Sequence, residues 1–207
     1  MAVPEDADII AEAVALLLEH RVDEARSHLS SLSPLDTVPL PAFDATKASD
    51  RPTRSKPQPL GNTMRARVYK RDGWRCRYCH RKLVLPPVLE LLTSLCPGFK
   101  GLLPGHHMPS EKTEPAVLRV YPNVDHIQAV AVGGSWRDQA NHVTACTPCN
   151  TRKSDRLGWV PAEPRLYDDW DGLTRLYGLL AEHAAPLTTY HRRWLKALGM
   201  HVEDIIH

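Results

Sequence analysis

Apolar positions recur with helical spacing from the start of the chain. Ile9, Ile10, Ala13, Val14, Leu17 and Leu18 fall at the three- and four-residue intervals that place them on one face, and they predict an amphipathic helix. A second short helix follows, with Asp23 as its cap and Ala25, Leu29 and Leu32 on its apolar side. Residues 1–33 therefore read as a helical hairpin. Pro34, Pro39 and Pro41 break the pattern, and residues 34–60, rich in Pro, Ser, Thr and charge, read as a linker. Asn62 or Thr63 can cap a third helix that runs to Arg71 and ends at Gly73.

Six prolines then interrupt the chain between Lys82 and Val120, where Val88 to Leu95 predicts a short helix inside an insertion at 83–117. Leu118 to Val124 reads as a strand, His142 to Ala145 as a second, and a helix with Pro148 near its first turn continues to about Arg156. Two further helices are expected, over 169–182 and 187–198, in a C-terminal extension at 159–207. The fold class is α+β, with a central domain at 61–158. Trp159, Trp170, Tyr177, Tyr190 and Trp194 in the extension have helical spacing and read as core rather than as stacking platforms.

Of the five cysteines, four fall in two Cys-x-x-Cys knuckles, Cys76/Cys79 and Cys146/Cys149. That is the donor set of a tetrahedral Cys₄ zinc site, closed and therefore structural. Cys96, among Leu91, Leu92 and Leu95, reads as a buried structural thiol. No apolar run approaches the ~20 residues that span a membrane. The Ile9–Leu18 stretch contains Glu12 and follows Glu5, Asp6 and Asp8, whereas a secretory signal begins with positive charge. A cytoplasmic protein without a membrane partner is expected, and in that reducing compartment cysteines serve as ligands rather than disulfides.

The net charge of +2 conceals an uneven distribution. Residues 1–30 hold seven acidic groups against Arg21 and Arg26, while residues 51–82 hold eleven basic groups against Asp72 alone. The basic block, which includes Arg65, Arg67, Lys70, Arg71 and Arg75 and runs into the first knuckle, suggests a phosphate-binding surface. A solvated basic linker is the plainer alternative. The acidic hairpin is expected to stay off nucleic acid and to serve a protein partner, self-association, or a cover over the basic face.

Between the knuckles lie Asp125-His126, Asn141 and, just past the second knuckle, Asn150-Thr151-Arg152-Lys153. With the paired knuckles, these residues resemble the HNH endonuclease family in its H-N-N form with a zinc ribbon, over about Arg65 to Arg156. The resemblance implies a small ββα-metal core and a nuclease that cleaves DNA to 5′-phosphate and 3′-hydroxyl ends. Hydrolysis needs a base, and a neutral imidazole at His126 can supply it. Asp125 offers a hard oxygen to Mg²⁺ or Mn²⁺. Adjacent strand residues face opposite ways, so Asp125 and His126 share one site only at a strand end or bend. The resemblance makes Asn150 the second ligand of that ion and Asn141 the residue that holds the loop after His126. Arg152 and Lys153, the latter one turn from Asn150, are candidate phosphate contacts. His142, where relatives carry an aliphatic residue, is expected to be partly buried or to reach toward the site. A zinc-ribbon module that only binds nucleic acid or protein, and a nuclease acting on RNA, are the competing readings.

Overall fold

The computed structural model describes residues 5–32, 60–102, 113–166, 169–184 and 186–200. The expected linker apart from Leu60, the basic residues Arg51, Arg54 and Lys56 within it, and the His106-His107 pair lie outside the described residues. The chain is α+β. Helices α1 (Asp6–Leu18), α2 (Val22–Leu29), α3 (Asn62–Arg71), α4 (Pro86–Leu95) and α5 (Pro115–Val120) precede strands β1 (Pro122–His126) and β2 (His142–Cys146). Helices α6 (Thr147–Lys153), α7 (Thr174–His183) and α8 (Thr189–Leu198) complete it. β1 and β2 form a two-stranded antiparallel sheet in which Pro122 faces Cys146 and His126 faces His142. α6 leaves β2 directly, so strand, strand and helix follow in the expected order.

Three boundaries differ from expectation. The segment read as a strand from Leu118 is helix α5 as far as Val120, and β1 begins at Pro122. Val117 and Val120, three apart on α5, are both fully buried, so packing overrides the strand preference of valine. Pro115 stands in the first turn of α5, where its missing N–H costs nothing. α7 starts at Thr174 rather than near 169, because Gly172 and Leu173 adopt left-handed backbone at φ 69° and 65°. Asp171 then satisfies the open end, accepting from Leu173 N, Arg175 N and Thr174 Oγ1. At the start of α2 the cap position is Arg21, and Asp23 falls in the first turn.

Two apolar centres hold the chain together. The larger joins Ile10, Val14 and Leu17 of α1 with Leu89 and Leu92 of α4, Val117 and Val120 of α5, Tyr177 and Leu180 of α7, and Trp194 of α8. The smaller gathers Tyr78, Leu83, Val143, Ala145 and Trp159 around the four knuckle cysteines. The C-terminal aromatics are core, as their spacing indicated, with Trp170 half-buried. Cys96 is likewise fully buried, and burial raises its pKa.

The N-terminal hairpin is an integral part of this core. Its apolar face is packed against α5 and α7 of the same chain. Its acidic first turn meets basic residues from the insertion side. Asp6 pairs with buried Arg119 at 2.6 Å, Asp8 with Lys82 at 2.6 Å, and Glu5 accepts from Lys82 N at 2.9 Å. Ile10→Ala is accordingly expected to cost ~2–5 kcal/mol, the range for emptying a buried aliphatic site, read as a fall in the urea midpoint. Asp6→Ala should also destabilise, because the guanidinium of Arg119 is only 3% exposed.

Candidate active site and metal centre

The metal centre is made by two tight turns. After α3 the chain reverses through Gly73 and Trp74, both at positive φ. Gly73 is required there twice over, since a Cβ would also lie 2.6 Å from the Arg165 carbonyl oxygen. Arg75 and Lys82 then pair across a bridge that closes the first knuckle, with Cys76 N donating to Arg81 O and His80 N to Cys76 O. Cys146 ends β2 and Cys149 sits in α6. All four sulfurs lie within 4.8 Å of one another, and Cys79 Sγ is 3.8 Å from Cys146 Sγ. A tetrahedral ion with bonds of ~2.3 Å to sulfur needs edges of ~3.8 Å, so the cluster fits zinc with little adjustment.

A residue that the pattern of types did not single out locks this turn in place. Asp72, at the end of α3, is fully buried. Its Oδ1 accepts from Arg71 Nε and Arg77 Nη1, each at 2.9 Å, and its Oδ2 from Thr144 N at 2.7 Å. One carboxylate thus joins α3, the first knuckle and β2. Its single negative charge in a basic block was the available signal: a buried acid needs cationic partners.

His126 ends β1 and faces a cleft of about 270 Å³ that also receives Asn150, Asn123, Arg65, Tyr69 and Tyr121. Burial lowers the His126 pKa, helped by His142, whose ring stands edge-on at 4.9 Å. The imidazole is therefore neutral at pH 7. Its Nε2 is shut off from solvent, and the ring also meets the Trp136 backbone. His142 is fully enclosed and places its Nε2 3.1 Å from the Trp136 carbonyl oxygen.

Asn141 holds the loop between the strands. Its Oδ1 accepts from Gln128 N at 2.8 Å, and its Nδ2 donates to Gln128 O and Ser135 O at 3.0 and 2.8 Å. These bonds tie Gln128 and Ser135 together across the loop that follows His126. Gly134 lies so close to the Gln128 carbonyl that a side chain would collide with it, which keeps the loop tight.

Asp125 faces the other way. Its Oδ2 accepts from the Tyr78 hydroxyl at 2.7 Å and lies 3.1 Å from Lys153 Nζ, which also reaches Oδ1 at 3.3 Å. Lys153 donates to His126 O at 2.6 Å as well. The expected phosphate contact at Lys153 is therefore corrected: its ammonium is 0% exposed and neutralises Asp125 inside the protein. The carboxylate lies outside the lining of the cleft that holds His126 and Asn150. A divalent ion shared by Asp125 and Asn150 does not fit this arrangement, because an ammonium already sits on the carboxylate.

The basic block divides in the same manner. Arg71 is spent on Asp72 and the His142 carbonyl, and Arg75 is buried beside the His80 carbonyl and Glu5. Arg67 and Lys70 are exposed, but with Arg165 they line a groove on the other side of α3 from His126. Arg65 alone of the α3 cations reaches the His126 cleft. Arg152 is exposed on α6.

Serine at Cys146 or Cys149 should remove tightly bound zinc, which elemental analysis would report as less than one ion per chain, together with loss of the cooperative melt. Asp125→Ala should cost ~3–5 kcal/mol by stranding the Lys153 charge, and the Asp125→Ala/Lys153→Met pair should recover much of that loss. No family model matches this chain, nor does any curated protein or solved structure; its function has to be read from its own residues.

Proposed function

We propose that this chain is a zinc-stabilised, HNH-type endonuclease that hydrolyses phosphodiester bonds in DNA. The observation that carries the proposal is the convergence of a neutral His126 imidazole, the Asn150 amide and the Arg65 guanidinium on one cleft. That is the minimum set for hydrolysis of an anionic ester: a base, a hydrogen-bond donor and a cation. The loop pinned by Asn141 and the cysteine cluster behind β2 hold the base in position. Free thiols at all five cysteines suit a reducing, cytoplasmic setting.

Each step uses the chain's own groups. A water bonded to the His126 imidazole passes its proton to the ring as the water oxygen attacks phosphorus. The bond from phosphorus to the 3′-oxygen breaks opposite the attack, and that oxygen takes a proton from solvent, leaving 5′-phosphate and 3′-hydroxyl ends. Arg65 meets the charge that grows on the non-bridging oxygens, and the Asn150 amide donates to one of them. A zinc ion on Cys76, Cys79, Cys146 and Cys149 supplies a cross-link and no chemistry, since its coordination sphere is closed.

The test is cleavage of supercoiled plasmid and of single-stranded DNA and RNA oligonucleotides. His126→Ala is expected to lower DNA cleavage by ~10²–10⁴-fold while zinc content and melting temperature stay unchanged. A wild type that binds DNA but never cuts it would make the chain a zinc-ribbon binding module, and preference for RNA would reassign the substrate. Cleavage lost in chelator and restored by Mg²⁺ would return an ion to Asp125, at the expense of its pair with Lys153.

A further inference from the structure

Helix α8 belongs to the C-terminal extension, outside the segment that carries the resemblance. It packs against α3, and its two faces differ sharply. Tyr190, His191, Trp194 and Leu195 are buried, while Arg193 and Lys196, three apart, are exposed on the opposite side. Neither cation has a hydrogen bond or an ion pair among the described residues. Both line a cleft of about 390 Å³ between α8 and the start of α3, together with Asn62, Thr63 and Arg65. Among the described residues no carboxylate lines it. Elsewhere in this protein cations near the core find acids: Arg71 and Arg77 share Asp72, Arg119 has Asp6, Lys82 has Asp8 and Lys153 has Asp125. Three cations in one concavity without an acid beside them are therefore an exception among the described residues.

This cleft adjoins the His126 cleft. Leu60 and Arg65 line both. Arg65 donates to the Tyr121 hydroxyl, which fixes its guanidinium where the two clefts meet. Arg193 and Lys196 therefore lie on one side of Arg65, and His126 and Asn150 on the other, in two neighbouring clefts.

We infer that α8 forms the outer half of the substrate track, with Arg193 and Lys196 holding backbone phosphates of the DNA strand whose scissile phosphate lies at His126. The inference rests on the nuclease reading and extends it to a binding site that the C-terminal extension supplies. The occupant follows from the chemistry: three cations in one cleft, with the polar side chains of Asn62 and Thr63 beside them, suit the repeating anion of a nucleic-acid backbone. These contacts carry no sequence information, so they set affinity and register rather than specificity.

The experiment is equilibrium binding of a fluorescent DNA duplex to the full chain across a salt series, beside plasmid cleavage. Replacing two phosphate contacts, Arg193→Ala with Lys196→Ala, should flatten the log–log salt slope by about 1.8 and weaken binding ~10–100-fold near 0.1 M salt. In cleavage, KM should rise with kcat unchanged. The charge-preserving pair Arg193→Lys with Lys196→Arg should keep the wild-type slope. Arg175→Ala, an exposed cation on α7, should leave the slope unchanged. Both α8 substitutions are on exposed positions, so zinc content and melting temperature should match wild type. Wild-type binding together with an unaltered slope in the double variant overturns this proposal alone. Absence of DNA binding by the wild type overturns the nuclease reading, and this proposal with it.

Discussion

The convergence of four cysteine sulfurs is the constraint on which the rest of the core depends. The sheet has only two strands of five residues each, and the following helix has seven. Elements of that size do not bury enough apolar surface to hold themselves together. A metal ion bound at such a cluster couples ~10–16 kcal/mol of binding free energy to folding. The cluster joins the turn after α3 to the junction of β2 and α6, so it fixes the position of β2. Through the strand register it also sets where β1 ends, and His126 is the last residue of β1. The buried carboxylate of Asp72 fastens the same junction a second time, with hydrogen bonds to a backbone amide and two guanidinium groups.

Charge is arranged by the same economy of pairing. Along the chain there is an acidic start and a basic block; in the folded molecule much of each neutralises the other. Asp6, Asp8 and Glu5 lie against Arg119, Lys82 and Arg75, while Asp72 absorbs Arg71 and Arg77. Burying a charge is tolerable only with a partner, so the cations drawn into the core were those with acids to meet. Those left over are the ones able to meet an external anion. The surface that remains positive is consequently narrower than the sequence suggests, and it includes α8, which lies far from the basic block along the chain.

The strand pair divides two adjacent residues between two tasks. Successive strand side chains face opposite sides. His126 turns to the cleft, and Asp125 turns inward to Tyr78 and Lys153. The Asp125–Lys153 pair ties β1 to the last residue of α6 and so holds the backbone at His126. In this arrangement the acid contributes rigidity beside the cleft, and Arg65 is the α3 cation that lines it.

Much of this was determined by the sequence alone. Helical spacing located α1, α3, α4 and α8, because a face that must be buried leaves a period in the chain. Paired Cys-x-x-Cys motifs located the metal centre, because ligand spacing is a local property. Asn141 reads in the sequence as holding the loop after His126, and its side chain bonds the Gln128 and Ser135 backbone there. Only the tertiary structure decided the rest. It turned Leu118 to Val120 into helix, since the burial of two valines outweighs their strand preference. It enclosed Lys153 and Arg75 and paired Arg71, while it left Arg193 and Lys196 free to line a cleft beside Arg65. The physical reason is that a period or a motif records which residues are close along the chain. Whether a charge is spent or available depends on which acid reaches it from a distant segment, and that is settled only when the chain is packed.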